Sequence, residues 1–576
     1  MEAFPAEAAD FTPSLQEDPA LGLSHREKME ILFAVMLGLF LGALDQTIVG
    51  PALPTIATKL NGNEYYVWVI TAYLLTSTIS VPFWGKLSDL YGRKPIFMIG
   101  IVFFLIGSAL SGLSQNMGML VLFRGIQGIG AGSLFPVALA VIGDLFTPQE
   151  RGKYQGLFGA VFGVAFVVGP LVGGFLTENI SWHWIFYVNI PIGIVSLIVI
   201  QRLLPTVKTA RATKNFDILG GAIFAVAITF LLLGLTNKQF GQWADPTVGG
   251  FLLAGLVGIL LFLGAEARAK EPIIPLHLFR NRTYSSSMVA TFFASFAFFG
   301  AIIFLPRWFQ FVHGFSPTNS GLAALPLMAG LIFSSIVSGI IVSRTGKYKW
   351  LTVGAIALMG IATALMTQLT ADTPLPVVWF WMFLSGLGVG PTFAVFTIIV
   401  QNAVPFHELG VATSNLTFFR QIGGSVALAI VGTIFGSTFL EQVGPQLGKA
   451  GVPPEVAAGF GQASASGQLD FNKLTGVGDL GAAILAAVPA QVKLIIEPFI
   501  ANIVAGIHEA FSIAVAQTFW IGVGAAIIAA IAAAMMQEHV LRTSHGPATT
   551  TTTASTPERA TQTAGAPESA TAATTE

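Results

Sequence analysis

The chain has 576 residues, 54% of them hydrophobic and only 10% charged, with a formal net charge of −1 and a mean hydropathy of +0.74. A soluble domain carries about 25% charged residues, so this composition belongs to an integral membrane protein, and the near-zero net charge argues against a nucleic-acid partner. With no cysteine, disulfides, zinc–thiolate sites and thiol nucleophiles are excluded.

Apolar runs of about 20 residues, each long enough to cross a hydrocarbon core of roughly 30 Å, recur almost end to end. In chain order the predicted spans are 30–51, 67–85, 95–114, 117–145, 154–176, 184–203, 217–236, 248–265, 284–306, 319–343, 350–369, 376–403, 409–437 and 510–537. The first begins near Ile31, lacks a small-residue cleavage site and is followed by many more, which reads as a retained helix rather than a signal peptide. Fourteen spans put both termini on one side. With the N-terminus cytoplasmic, the inside loops and tails hold 20 Lys and Arg and the outside loops 6, which fixes the orientation. The remaining two, Arg124 and Arg420, fall inside spans. Residues 1–24 and the Thr/Ala/Pro/Ser-rich 545–576 lack the apolar content to fold and are expected to be disordered cytoplasmic tails. Residues 438–509 read as a long extracytoplasmic loop rich in Gly and Ala, in which Val488 to Ile503 suits an interfacial helix. A lid on the exit path and a tolerated insertion are both open readings of that loop.

Residues 85–94, GKLSDLYGRK, form the turn between spans two and three. Gly85 and Gly92 permit a tight, close-packed turn. Asp89 and Arg93, four apart, share a helical face where an ion pair or a helix-end contact is within reach. An ordinary positive-inside loop would explain the charge, but not the spacing. Position for position the stretch matches the signature G-x-L-(S/A)-D-x-x-G-R-(K/R), and the chain resembles the major facilitator superfamily. The resemblance implies that Gly85, Asp89, Gly92 and Arg93 latch an N-terminal six-helix bundle to a C-terminal one when the transporter opens outward. The family's halves are homologous, so a second copy is expected after span ten. GIIVSRTGKY at 339–348 supplies it in degenerate form, with Lys347 at the arginine position and Ser343 where Asp89 sits.

Three further stretches resemble the fourteen-span drug:proton antiporter branch. ALDQTIVGPALP (43–54) is similar to its LDxTIVNVALP pattern, with Gly50 and Pro51 replacing Asn and Val; SWHWIFYVNIPIG (181–193) and EPIIPLHLFRNRTY (271–284) are typical of it. The resemblance covers about residues 25–440 and the last span. It implies an all-α membrane fold with a bundle at 25–203, two linker transmembrane helices within 204–283, and a second bundle at 284–544.

Span five carries glycines at 156, 159, 163, 169, 173 and 174, expected to form one narrow face, and a Gly169–Pro170 pair that interrupts the backbone ladder. Packing alone explains that composition. The order GPLVGG at 169–174 nevertheless resembles the family's antiporter motif, carried here by Gly163, Gly169, Pro170, Gly173 and Gly174, with Ala165 where the extended motif prefers glycine.

Coupling to protons needs a group that gains and loses a proton inside the membrane. Asp45 is the only acidic residue well within a span, about six residues or roughly 9 Å from its outer end. Arg124, in RGIQGIGAG (124–132), lies at similar depth in span four. Burying such a group costs about 2.5–3.5 kcal/mol on insertion scales, so it is usually functional. Low dielectric disfavours the ionised carboxylate and a nearby guanidinium favours it, so cavity opening or substrate arrival shifts the balance. Asp45 then loads a proton outside and releases it inside while substrate moves outward. A static Asp–Arg pair, or an aspartate capping a helix broken near Pro51, are the alternatives. The resemblance implies that Arg124 takes part in coupling. Arg420, the third coupling candidate, lies near the midplane of span thirteen and reads equally as a carbonyl-satisfying arginine or as part of gating.

Aromatic stretches at 292–311 and 379–383 offer an apolar, adaptable lining, although most of these side chains are expected to face lipid or neighbouring helices. With Asp45 as the sole membrane carboxylate, the expected substrates are lipophilic and neutral or monocationic. A proton-coupled exporter of a native lipid or metabolite would share this sequence. A membrane enzyme lacks support, since no metal cluster, nucleophile elbow or carboxylate pair falls in the predicted spans and the P-loop pattern is absent from the sequence. The expected partners are the substrate, protons and membrane lipids. The protein is expected to be a monomer in a bacterial inner membrane, with no cofactor or metal and with the proton gradient as its energy source.

Overall fold

The computed structural model describes residues 23–60, 62, 65–205, 216–238, 241–465, 480–487, 493, 495–539 and 541. The expected tails, 1–22 and 545–576 among them, lie outside the described residues. Among the described residues there is no strand, and fourteen helices are long and apolar enough to cross a membrane. They are α1 His25–Lys59, α2 Tyr66–Tyr91, α3 Arg93–Gly112, α4 Met117–Leu145, α5 Pro148–Asn179, α6 Trp184–Leu203, α7 Ile218–Asn237, α8 Pro246–Glu266, α9 Arg282–His313, α10 Leu325–Thr345, α11 Lys349–Met366, α12 Leu375–Ala403, α13 Leu409–Lys449 and α14 Ile500–Ala534.

Local chemistry sets several starts. α1 and α5 open on capping boxes, Ser24 with Glu27 and Thr147 with Glu150, each satisfying two orphan backbone donors. Asn116 and Asn281 cap α4 and α9. Gly92 and Gly346, with φ of 94° and 69°, allow the sharp α2–α3 and α10–α11 turns.

Helices α1–α6 pack on one another around Leu134, Phe97 and Ile142, and α9–α14 around Trp308, Met359 and Phe396. Two seams join these halves. α5 runs beside α10 from Gly152 against Gly339 to Gly174 near Thr318, and α2 meets α13 at Gly85 and Ser414. α7 and α8 pair with each other and lie over the second seam, where Phe224 touches both Phe83 and Phe418. The end of the bundle bearing the start of α1 and the α2–α3 turn holds most of the Lys and Arg and is called the basic end below; the opposite end is the far end.

Two boundaries differ from the sequence reading. Residues 438–449 belong to α13, and α14 begins at Ile500, where irregular chain was expected from 438 to 509. The apolar positions Phe439, Val443 and Leu447 recur every four residues and are buried, as are Ile503, Ile507 and Ala510 facing them. α13 is 41 residues long, about 60 Å at 1.5 Å per residue, so it outreaches a bilayer core. Between these helices stand short helices Pro454–Ala465 and Leu480–Ala487. The expected interfacial helix over Val488 to Ile503 lies partly outside the described residues, and its last residues open α14.

Candidate functional site

Asp45 sits fully buried on α1, 2.6 Å from Nη1 of Arg124 on α4. Its Oδ1 also accepts from Gln127 Nε2 at 2.8 Å and from Asn189 Nδ2 at 3.1 Å. Arg124 donates in turn to Gln127 Oε1 at 2.8 Å, and its guanidinium lies 4.1 Å over the Tyr73 ring. Asn189 is anchored by Ser108 Oγ at 3.0 Å. One carboxylate thus gathers α1, α4 and α6, with α2 and α3 behind them. A guanidinium only donates and a carboxylate accepts at two oxygens, so Arg124, Gln127 and Asn189 satisfy both Asp45 oxygens and offset part of the pair's desolvation cost, while the buried Asn189 Oδ1 has no partner among the described residues. The static pair and the switchable pair both contain this contact. The capping alternative is not what the structure shows, because Asp45 bonds to side chains and not to a helix end.

The sequence singled out the charges but gave no role to Gln127, Asn189 or Tyr73. The signal was present for two of them: Gln127 stands three residues after Arg124, hence on the same helical face, and Asn189 is the one amide in SWHWIFYVNIPIG.

The glycines of α5 do not form one face. Gly156, Gly159 and Gly163 press on Ser335, Ile336 and Ile332 of α10, whereas Gly169 and Gly173 press on Thr47 and the Ile48 carbonyl of α1. Six residues at 3.6 per turn rotate the second group by about 120° from Gly163, which separates the two contacts. Gly174 returns to the first side, near Thr318, and Pro170 faces Gly321. Thr47 fastens α1 to α5 by donating to the Ala165 carbonyl at 2.9 Å, so Ala165 contributes a backbone acceptor beside the buried pair.

At the basic end, Asp89 pairs with Arg93 Nη1 at 2.5 Å and accepts the backbone N–H groups of Gly410 and Val411 at 3.0 and 2.8 Å. Those amides form the first turn of α13, where orphan donors and the helix dipole favour an anion. Arg93 also donates to Asp144 at 3.0 Å and to Ser88 at 2.8 Å. Gly92 makes the turn, but Gly85 lies inside α2 and serves close approach: a Cβ there would overlap Ser414 and the Gly410 carbonyl. In the degenerate copy, Ser343 Oγ donates to the Gln149 carbonyl at 2.5 Å, a single neutral bond between the halves. Sequence reasoning missed a third link, in which Gln401 accepts from Gln155 at 2.8 Å and donates to the Leu139 carbonyl at 3.0 Å.

The loop after α8 reaches both sides of the contact between Asp89 and α13. Glu271 pairs with Lys86 at 2.7 Å, and His277 lies 3.2 Å from Glu408, just before α13.

Arg420 is apart from Asp45 and Arg124. It is half-buried on α13, donates to the Thr392 carbonyl at 3.1 Å and lies 4.3 Å over the Phe393 ring. Phe393 is 5.8 Å from Phe162 of α5 and 5.9 Å from Phe298 of α9. Most other aromatic side chains of 292–311 are core, Trp308 and Phe309 fully so, while Phe380 is exposed. Trp379 lines a cavity of about 430 Å³ with Phe315, Asn319, Leu322 and Pro326, and neither Arg124 nor Arg420 is among its lining residues.

The sequence pattern of the Major Facilitator Superfamily matches residues 35–428. The chain is 38% identical to the multidrug transporter protein MdtP of Bacillus subtilis (strain 168), over 77% of this chain and 82% of that protein. It is 36% identical to multidrug resistance protein 3 of the same organism, over 72% and 80%. Among solved structures, the proton:xylose symporter XylE superposes with a TM-score of 0.53 at 12% identity, over 88% of this chain and 95% of that one, a likeness of fold. With these matches and its fourteen apolar helices, the chain belongs to the major facilitator superfamily.

Proposed function

We propose that the protein exports lipophilic compounds in exchange for protons by alternating access between its two halves. The observation that carries this reading is the buried Asp45, held among the described residues by side-chain donors that a shift of α1 against α4 and α6 would withdraw. Losing Arg124 removes the charge that balances the carboxylate, and protonation then becomes the cheaper state in low dielectric. The printed names of MdtP and multidrug resistance protein 3 support drugs as cargo. The half-buried aromatic faces of Phe162 and Phe393 suit neutral lipophiles by dispersion and monocations by cation–π contact. In this reading the basic end faces the cytoplasm of a bacterial cell, the glycines of α5 let it slide against α1 and α10, and Asp89 latches the basic end while the far end is open.

The test is substrate-driven proton movement in liposomes containing the purified protein and an internal pH-sensitive dye. Addition of an ethidium-like cation or a neutral lipophile is expected to change the internal pH, and the change should vanish with an uncoupler. A wild-type protein that moves no protons with any compound of either kind contradicts the antiport reading.

A further inference from the structure

Arg420 carries a positive charge within the membrane domain, and among the described residues its one hydrogen bond is to the Thr392 carbonyl. A guanidinium has five N–H donors. Arg124, deep in α4, is by contrast matched to a carboxylate. Arg420 has no such partner among the described residues, and it is only half-buried, so its guanidinium keeps donors that no described protein group takes up. It borders the cleft between the halves rather than the lipid, because the ring beneath the guanidinium, Phe393, touches Phe162 of the opposite half.

On this reading of the protein as an exporter of lipophiles, we propose that Arg420 is an anion-recognition point in the central cleft, and that the substrates include lipophilic monocarboxylates. The guanidinium fork fits a carboxylate with two parallel bonds, while the half-buried Phe162 and Phe393 receive the apolar part of the same molecule. Asp45 leaves the site free for an anion. It is fully buried and neutralised by Arg124, so it presents no repelling charge to the cleft.

The experiment measures binding of three probes to the purified protein by dansyl fluorescence: dansyl-undecanoic acid, its methyl ester, and the matching terminal amine. The wild type is expected to bind the acid about tenfold more tightly than the ester, the weight of one charge-assisted pair, and more tightly than the amine. Arg420→Gln should bring the acid down to the level of the ester and leave the ester unchanged, and Arg420→Lys should keep most of the preference. Repetition in phosphatidylglycerol and phosphatidylcholine vesicles separates sources of the anion: a lipid headgroup seated on Arg420 would weaken acid binding in phosphatidylglycerol alone. An Arg420→Gln protein that still prefers the acid overturns the inference while leaving efflux of lipophiles intact. If the glutamine variant does not fold, a wild type that binds acid and amine equally overturns it as well. A wild type that binds none of the three overturns both the inference and the lipophile reading.

Discussion

Asp89 of the first half caps the α13 helix of the second by accepting the N–H groups of Gly410 and Val411 at 3.0 and 2.8 Å. The bonds are charge-assisted, and the same carboxylate pairs with Arg93. Hydrogen bonds to a charged group contribute about 1.5–3 kcal/mol, enough to shift a two-state equilibrium tenfold or more. Asp89→Asn keeps the shape and removes the charge. A unique cysteine at Gln46, exposed on α1, reports the far-end opening, since the chain has no other cysteine. Its labelling by an impermeant maleimide should slow by about tenfold in Asp89→Asn; an unchanged rate would count against the latch.

The two glycine contacts of α5 with α1 predict a contrast in stability. A Cβ at Gly169 meets Thr47, including its backbone, whereas Gly50 has no atom within 4 Å of where a Cβ would lie. Gly169→Ala should cost about 1–3 kcal/mol, the usual range for overpacking, and lower the Tm in detergent. Gly50→Ala should leave Tm unchanged or raise it slightly, since alanine is the better helix former. Equal effects would mean that the close approach of α1 and α5 does not constrain the fold.

Much of this architecture was legible because a membrane simplifies the code. Apolar runs gave the number of helices, and Asp45 and Arg124 stood out because charge is expensive in hydrocarbon. What escaped was relational. The chain past residue 437 read as loop because Gly and Gln dilute its hydropathy, yet Phe439, Val443 and Leu447 keep a helical repeat facing α14. The glycines of α5 read as one face because their count hides the rotation between Gly163 and Gly169. Gln127, Asn189 and Gln401 are neutral amides, which carry no charge signal until the fold shows what they bond.

The buried pair predicts a non-additive cycle. Arg124→Ala leaves the Asp45 carboxylate uncompensated and should destabilise the protein by about 3–5 kcal/mol. Asp45→Asn in the same chain removes that charge, so the double variant should be more stable than Arg124→Ala alone. Chemical unfolding in detergent micelles reads the difference, and additive losses would show that the two side chains are not energetically coupled.

Lys86 is almost fully buried and pairs with Glu271 from the loop after α8. Lys86→Gln should release that loop from α2, raising amide hydrogen exchange across 271–281 by about tenfold, with substrate affinity unchanged. No change in exchange would mean that the loop's other contacts, His277 with Glu408, Ile274 N–H with Glu266 and Asn281 with the Ala403 carbonyl, hold it without Lys86.

Proton coupling through Asp45 is the central claim, and its most direct test separates movement of substrate from movement driven by protons. Wild type and Asp45→Asn are compared in liposomes for substrate–substrate exchange and for substrate accumulation driven by a pH gradient. Asp45→Asn is expected to keep exchange, because the halves and the cleft remain, and to lose gradient-driven accumulation. An Asp45→Asn protein that still accumulates substrate against its gradient contradicts the account and returns Asp45 and Arg124 to a structural pair.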